Sequence, residues 1–324
     1  MQVNQVRKWA LLLTAFLLIL APVNQAMASD SKNTVHKNDA YKEVIHAMGC
    51  SEVPKKVLRV VTLFQGATDS VVALGVTPVG VVDSWAQQPT YEYLRDALKG
   101  VAHVGLETQP NLEAIVALKP DLIIGTKSRH EKIYRQLSQI APTVMAENVY
   151  DFKTTLDLTA EALSKETKGK QIWDGFQQRI THFHNEVKKR EVNWPLTAAI
   201  LNIRADHLRL YLNQSYPGVV LKEIGFKFPL PNENGWGVKL KTKEALPSVN
   251  ADVFFIILHS SDAAVRQNYD AWRAHPLWKM LTAPKNKQVY EVDNVAWLLS
   301  GGILGAEKIL DQLYQIYQLP QVDH

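Results

Sequence analysis

The chain of 324 residues carries 36 lysines and arginines against 32 aspartates and glutamates, for a formal net charge of +4. This near balance argues against nucleic acid as the main partner, because such a partner would require a strongly basic face. The single cysteine excludes an intramolecular disulfide, and the length suits two lobes of ordinary size.

The first 28 residues have the pattern of a secretory signal peptide. Arg7 and Lys8 precede an apolar run over residues 9–21, and an Ala-Met-Ala cleavage motif ends at Ala28. The run is shorter than the roughly 18 residues needed to span a bilayer, which favours cleavage after Ala28 over an uncleaved anchor. Cys50 lies too far from this run to serve as a lipid-attachment site. The mature protein is therefore predicted to be periplasmic.

The part that follows alternates short apolar strands with helices, a pattern typical of α/β folds. Strands are predicted over residues 55–63, 78–82, 101–105, 122–124 and 144–145, and helices over residues 67–74, 112–118 and 152–163. The first two strands lead into Phe64 and Trp85. Because loops at the carboxyl ends of parallel strands bind ligands in open α/β sheets, both aromatic residues are candidate ligand contacts.

Residues 108–130 combine a helix, a buried strand and a loop. Asn111 is a good N-cap for an apolar helix that Pro120 ends, and an apolar strand follows. The loop after that strand carries Lys127 and Arg129.

The same pattern returns at residues 242–257. Glu113 of the first copy aligns with Glu244 of the second, and His259 follows the second strand much as Arg129 follows the first. Two copies about 130 residues apart predict two similar lobes rather than a short-period solenoid. The alternative is that any two βα units look alike.

Between the two copies, residues 165–191 are predicted to form one long helix. About 27 residues extend over roughly 40 Å at the helical rise, which makes this helix a natural rigid connector. His182 and His184 on it point to different faces and cannot chelate one metal ion.

The second half again alternates strands with helices, and polar or aromatic residues follow its strands. Strands are predicted over residues 198–203, 253–257 and 289–292, and helices over residues 216–224, 264–281 and 305–317. The residues of interest near strand ends and in a glycine-rich loop over residues 232–238 are Arg204, His207, Arg209, Tyr211, Trp236 and Trp297. Two arginines and a histidine at one strand end are hard to explain by the fold alone.

Several segments resemble the substrate-binding proteins of iron–siderophore ABC importers, the class that includes ferric-dicitrate-binding and vitamin B12-binding proteins. They read P-N-L-E-A-I-V-A-L-K-P-D-L-I-I, S-R-H, Q-I-A-P-T-V, H-P-L-W-K-M-L and Q-V-Y-E-V-D, and they start at Pro110, Ser128, Gln139, His275 and Gln288. The S-R-H and Q-I-A-P segments look most like the ferric-citrate branch. The resemblance covers nearly all of the mature chain, from Val57 to Tyr317.

This resemblance implies an α/β protein of two similar lobes with central sheets, joined by a single long α-helix, with the ligand held between the lobes. The predicted division is a signal peptide over residues 1–28, an N-terminal tether over 29–54, an N-terminal lobe over 55–164, the connecting helix over 165–192 and a C-terminal lobe over 193–324.

A citrate-type or other carboxylate ferric complex is anionic, so its site requires fixed positive charge. Arginine suits carboxylates because its planar fork is always charged and binds them through two hydrogen bonds. The candidates are Arg129 from the first lobe and Arg204 and Arg209 from the second, and each has a surface salt bridge as its alternative role.

Histidines and aromatic residues complete the predicted site. Lys127, His207 and His259 are further polar candidates, with a packed polar residue as the alternative. Aromatic side chains that would stack on a chelate or enclose it, or else anchor the core, are Phe64, Trp85, Tyr211, Trp236 and Trp297.

The resemblance also implies partners. One exposed glutamate per lobe pairs with arginines of the ABC permease in this family, and Glu113 and Glu244 match those positions; a favourable helix N-terminal position is the alternative explanation. We predict a monomer whose ligand is an anionic ferric siderophore of the citrate, carboxylate or hydroxamate type. We predict no cofactor and no metal ion held by the protein itself, because siderophore iron is already coordinated.

Two other functions remain open from the sequence. The same fold could bind haem or a corrinoid, in which case the cleft arginines would matter little. A secreted α/β enzyme is the other alternative, but we find no G-x-S-x-G, P-loop or H-E-x-x-H motif, and we predict no enzymatic activity.

Overall fold

The computed structural model describes residues 40–230 and 235–320. The predicted signal peptide, its cleavage site and the first part of the predicted tether lie outside the described residues, as does part of the glycine-rich loop predicted over residues 232–238.

The strands of the described residues are β1 (Tyr41–His46), β2 (Gly49–Pro54), β3 (Val60–Thr62), β4 (Gly80–Asp83), β5 (Ala102–Leu106), β6 (Gln109–Pro110), β7 (Leu122–Thr126), β8 (Thr143–Ala146), β9 (Ala198–Ile203), β10 (Leu208–Tyr211), β11 (Gly237–Leu240), β12 (Val253–Leu258) and β13 (Val289–Val292). The α-helices are α1 (Gln65–Ala73), α2 (Leu112–Ala117), α3 (Lys127–His130), α4 (Tyr134–Ile140), α5 (Phe152–Ala162), α6 (Glu166–Arg190), α7 (Tyr216–Ile224), α8 (Ala263–Arg273), α9 (Pro276–Met280), α10 (Thr282–Lys285) and α11 (Ile303–Ile316).

The first lobe is built on a sheet in the order β6-β5-β4-β3-β7-β8, in which all neighbours except β5 and β6 run parallel. All five residues of β7 are buried, as the continuous apolar run predicts for a strand covered on both faces. The parallel arrangement brings the carboxyl ends of β3, β4, β5, β7 and β8 to one edge, where ligand-binding loops are expected.

The hairpin formed by β1 and β2 replaces most of the predicted tether. Val44 and Val53 are fully buried under it, which explains why this segment folds onto the lobe. The Ala47 amide donates to the Met145 carbonyl at 2.9 Å, and the Ser51 hydroxyl donates to the Thr143 carbonyl at 2.9 Å, so the hairpin is attached to β8.

The second lobe is built on a sheet in the order β11-β10-β9-β12-β13. The core strands β9, β12 and β13 run parallel, whereas β10 runs antiparallel to both of its neighbours. The carboxyl ends of the three parallel strands again share one edge.

The internal repeat has a structural basis in its two aspartates. Asp121 accepts hydrogen bonds from the Leu58 and Arg59 amides at 2.9 Å each, and Asp252 accepts one from the Thr197 amide at 2.8 Å. In both lobes the carboxylate therefore binds the backbone just before the first strand of the sheet.

The two copies differ in their helices. The first copy forms α2, with the Asn111 side chain capping it as predicted, whereas the second forms a 3-10 helix over Lys243–Val249. Pro247 lies inside that helix and lacks the amide donor that an α-helix would require.

The predicted connector is present as α6, a helix of 25 residues. Its buried stripe faces the core and consists of Phe176, Ile180, Phe183 and Val187. Arg179 on the same side pairs with Glu307 and, at 2.6 Å, with Asp311, both on α11. Two α/β lobes with central sheets and a single long helix between them confirm the predicted fold class.

The last helix, α11, contacts both lobes, because it packs against α1 and α5 as well as α7. Asp69 on α1 accepts hydrogen bonds from the Leu304 and Gly305 amides at 2.8 and 3.1 Å, and from the Tyr93 hydroxyl at 2.8 Å. A buried carboxylate thus caps the amino end of α11. Within residues 40–230 and 235–320, no helix has the length and apolar character that crossing a membrane would require.

Candidate ligand-binding site

A cavity of about 980 Å³ is lined by residues of both lobes, most of which follow parallel strands, whereas Tyr211 ends the antiparallel β10 and Trp236 precedes β11. Because each parallel strand ends at the same edge of its sheet, one or two side chains per strand reach the cavity. The first lobe contributes Phe64, Trp85, Glu107, Arg129 and Tyr150, and the second contributes Arg204, Tyr211, Trp236, His259 and Asn294.

Two predicted arginines face this cavity from opposite lobes. Arg129 lies on α3, a short helix where the sequence predicted a loop, and its Nε is 3.3 Å from a carboxylate oxygen of Glu107. Arg204 follows β9, and its Nε donates to the Asn202 side-chain oxygen at 3.2 Å. Each guanidinium keeps further donors, so both can bind the carboxylates of a ligand.

His130, next to Arg129 in the chain, fixes the position of the short helix that carries Arg129. His130 is fully buried; its Nδ1 accepts from the Thr126 amide at 3.1 Å, which leaves Nε2 to donate to the Glu107 carbonyl at 2.8 Å. This side chain therefore ties α3 to the end of β5.

The predicted aromatic residues Phe64, Trp85, Tyr211 and Trp236 line the cavity. Trp85 is 47% exposed, and its indole nitrogen donates to Glu107 at 3.3 Å. The Trp236 ring centroid is 5.8 Å from that of Tyr211. Exposed tryptophans that are fixed in this way can stack on a ligand at low entropic cost.

Arg209 does not line the cavity. It lies behind Trp236, with its Cζ 4.4 Å from the ring centroid, so it supports the aromatic wall and is not a direct ligand contact in this conformation.

The predicted contact Trp297 is a core residue and not a cavity residue. Its side chain is fully buried, 4.7 Å from the Phe255 ring, and its indole nitrogen donates to Gln312 at 2.6 Å. The chain after β13 turns into the core here, and Asn294 is the residue that reaches the cavity in its place.

Of the remaining polar candidates, one lines the cavity and two do not. His207 is buried with its Nδ1 2.7 Å from Asp206, and Lys127 pairs with Glu147 at 3.4 Å; neither lines the cavity. His259 does line it, and burial, with Arg204 nearby, lowers the pKa of its imidazole.

Glu107 is a cavity residue that the sequence analysis missed. The residue is only 4% exposed, and its carboxylate also accepts a hydrogen bond from the Gln65 amide at 3.2 Å. Burial raises the pKa of Glu107, whereas Arg129 and the hydrogen-bond donors lower it. Its position directly after β5 is the signal that could have identified it, by the strand-end rule that identified Arg129 and Arg204.

Ligand chemistry follows from this set of side chains. Among the described lining residues there are two arginines and one carboxylate, together with two tryptophans and three tyrosines. Such a site favours an anion with apolar or flat surfaces. In the described part of the chain, no group of three or more His, Cys, Asp or Glu side chains could hold a metal ion.

Known proteins with similar sequences share this fold. The family model for periplasmic binding proteins matches residues 60–296. The achromobactin-binding periplasmic protein of Dickeya dadantii is 48% identical over 80% of this chain and 86% of its own length. The probable siderophore-binding lipoprotein YfiY of Bacillus subtilis is 37% identical over 95% of this chain and 97% of its own.

Among solved structures, Staphylococcus aureus SirA complexed with staphyloferrin B superposes with a TM-score of 0.82 at 40% identity, covering 86% of this chain and 99% of that one. The match of the family model over most of the folded chain, together with these similarities, shows that this protein belongs to the periplasmic binding protein family.

Proposed function

We propose that this protein captures an anionic ferric siderophore, of the citrate or other carboxylate-containing type, between its two lobes and delivers it to an ABC permease for iron uptake. The observation that carries the proposal is that Arg129 and Arg204 line one cavity from opposite lobes. The relatives named above bind achromobactin and staphyloferrin B, and a Bacillus subtilis relative at 33% identity is named as an Fe(3+)-citrate-binding protein.

The expected interaction energies are sufficient for micromolar binding. A charge-assisted hydrogen bond contributes roughly 1.5–3 kcal/mol. Two or three of them, together with aromatic contact, reach about −8 kcal/mol, which corresponds to micromolar affinity or better. The siderophore supplies the coordination of the iron, and the protein supplies charge, donors and aromatic walls.

We further propose that Glu113 and Glu244 contact the permease. Both side chains are exposed and stand in the first turn of their helices, one on each lobe. An exposed pair contributes no more than about 1 kcal/mol, so two glutamates would orient the protein on the permease rather than hold it tightly. The protein acts as a monomer in the periplasm after its signal peptide is removed.

The proposal is tested by titrating intrinsic tryptophan fluorescence with a panel of compounds. Trp85 and Trp236 line the cavity, so ferric citrate and the ferric complexes of achromobactin and staphyloferrin B should change the emission at micromolar concentration or below. Haem and cobalamin should not. Binding of haem or cobalamin alone would overturn the proposed ligand class, and a chelate co-purified from iron-starved native cells, identified by mass spectrometry, would name the ligand.

A further inference from the structure

Glu107 stands out as a carboxylate at the centre of a site for anions. It is the single acidic side chain among the described residues that line the cavity. One carboxylate oxygen is 3.3 Å from Arg129 Nε, and the other accepts from the Gln65 amide and the Trp85 indole at 3.2 and 3.3 Å. Glu107 therefore positions both a cationic and an aromatic contact of the ligand.

The charged and titratable groups around Glu107 come from every element that packs on it. Asp83, at the end of β4, is paired with His103 of β5 at 2.8 Å, and its carbonyl accepts from the Gln65 side chain. The others are Arg129 and His130 of α3 and Tyr91 from the loop after β4, and Arg204 and His259 line the same cavity from the second lobe.

A ligand carboxylate that approaches Arg129 meets a guanidinium that already has a negative partner. Two carboxylates would then share one cation in a site from which the ligand displaces water. Like charges held close together in a dry site cannot both remain ionised at low cost, and one of them takes up a proton. Glu107 is buried beside Arg129, and burial already raises its pKa, so within this cavity it is the carboxyl group of the protein that can take up the proton.

We propose that Glu107 binds one proton when an anionic ferric chelate enters the cavity and releases it when the chelate leaves. This inference rests on the proposed function. The proton comes from solvent and forms an O–H bond on the Glu107 carboxyl, which removes the negative charge beside Arg129. The guanidinium then offers its full charge to the ligand, and the neutral carboxyl still accepts from the Gln65 amide and the Trp85 indole. Capture is consequently stronger at lower pH.

Isothermal titration calorimetry with ferric citrate and ferric staphyloferrin B tests this coupling. Titrations in phosphate and in Tris at each pH from 6.5 to 8.5 give the number of protons taken up, because the two buffers differ in ionisation enthalpy. Where Glu107 is ionised in the free protein, we expect uptake to approach one proton and affinity to fall by about tenfold per pH unit. E107Q should take up none and should vary in affinity by less than about twofold over the same range.

Two variants separate Glu107 from other groups. Glu147 is exposed, pairs with Lys127 outside the cavity, and in E147Q the proton uptake should be unchanged. His259 lines the cavity, so H259Q shows whether an imidazole is the acceptor instead. Uptake that persists in E107Q, or that disappears in H259Q, would overturn the inference.

The inference and the proposed function fail in different ways. Chelate binding without proton uptake in the wild-type protein sinks the inference alone, whereas no binding of any chelate sinks both. The ligand-free protein gives an independent reading through the ¹³C resonance of the Glu107 carboxyl, assigned by its loss in E107Q. A carboxyl that is already protonated in the free protein across pH 6.5 to 8.5 would also overturn the inference, because it could take up no proton on binding.

Discussion

The guanidinium of Arg209 lies over the indole of Trp236, with Cζ 4.4 Å from the ring centroid. Trp236 is 39% exposed and forms part of the cavity wall, whereas Arg209 stands behind it. We therefore predict that Arg209 affects ligand binding through the orientation of the Trp236 ring.

Replacing Arg209 tests this relationship. A cation–π contact of this kind contributes about 1 kcal/mol, so R209A should weaken chelate binding by about fivefold in a fluorescence titration. Arg273 over Tyr269, at 5.3 Å, is the matched control outside the cavity, and R273A should bind as the wild type does. A loss in R209A as large as that caused by removing a cavity arginine would mean that Arg209 contacts the ligand directly.

The two cavity arginines should dominate affinity. R129A and R204A each remove charge-assisted hydrogen bonds, and each should weaken binding of the ferric chelates by about 10- to 100-fold. Lysine at either position should restore only part of the loss, because an ammonium lacks the planar fork. R266A removes an exposed pair with Glu291 away from the cavity and should have no effect. Affinity within twofold of wild type in either alanine variant would contradict an anionic ligand.

Asp69 should make stability depend on pH. Its burial raises the carboxyl pKa to about 7, although the Leu304 and Gly305 amides and the Tyr93 hydroxyl lower it. In the unfolded chain the pKa of this carboxyl is about 3.9, so between pH 4 and 7 the folded state holds one more proton than the unfolded state. The stability contributed by this group is thus fully present below about pH 4 and is lost as pH rises through 7.

The measurement is urea unfolding of wild type and D69N from pH 4.5 to 8. As pH rises, the free energy of unfolding of the wild type should fall relative to that of D69N, by up to about 1.4 kcal/mol per pH unit. D96N, at an exposed position, should parallel the wild type. If the free energies of unfolding of D69N and the wild type vary with pH in parallel, the amides and Tyr93 offset the effect of burial on the Asp69 pKa.

Replacing Glu113 and Glu244 should impair iron uptake without changing ligand binding. E113A and E244A should each lower iron uptake in cells several-fold, and the double variant should lower it further, while calorimetry finds unchanged chelate affinity. E43A, at an exposed position of β1, is the control and should transport normally. Normal uptake in the double variant would remove these glutamates from the permease interface.

The fold was predictable because its signals are periodic and local. The apolar run of β7, the Asn111 cap and the long stripe of α6 each follow from neighbouring residues alone. The hairpin of β1 and β2 was missed because its attachment depends on contacts with Met145 and Thr143, far away in the chain.

The site residues that could be predicted from the sequence are those that follow parallel strands. Arg129, Arg204 and His259 follow parallel strands, and the common edge of each sheet brings them to the cavity. Trp297 and Trp85 look alike in the sequence, both being tryptophans after a strand, and only packing against Phe255 and Gln312 places the former in the core. Glu107 was missed because an acidic residue was not expected in a site for anions.

The hydrogen bonds from the Leu304 and Gly305 amides to Asp69 join the start of α11 to the first lobe. Gly66 also lies so near this segment that a Cβ on it would come within 2.4 Å of the Gly301 carbonyl oxygen. Together with α6, these contacts give a second connection between the lobes, so we expect little bending between them when a ligand binds. The empty and the ligand-bound protein should then give superimposable small-angle scattering curves, and a clear change in the curve on ligand addition would contradict this expectation.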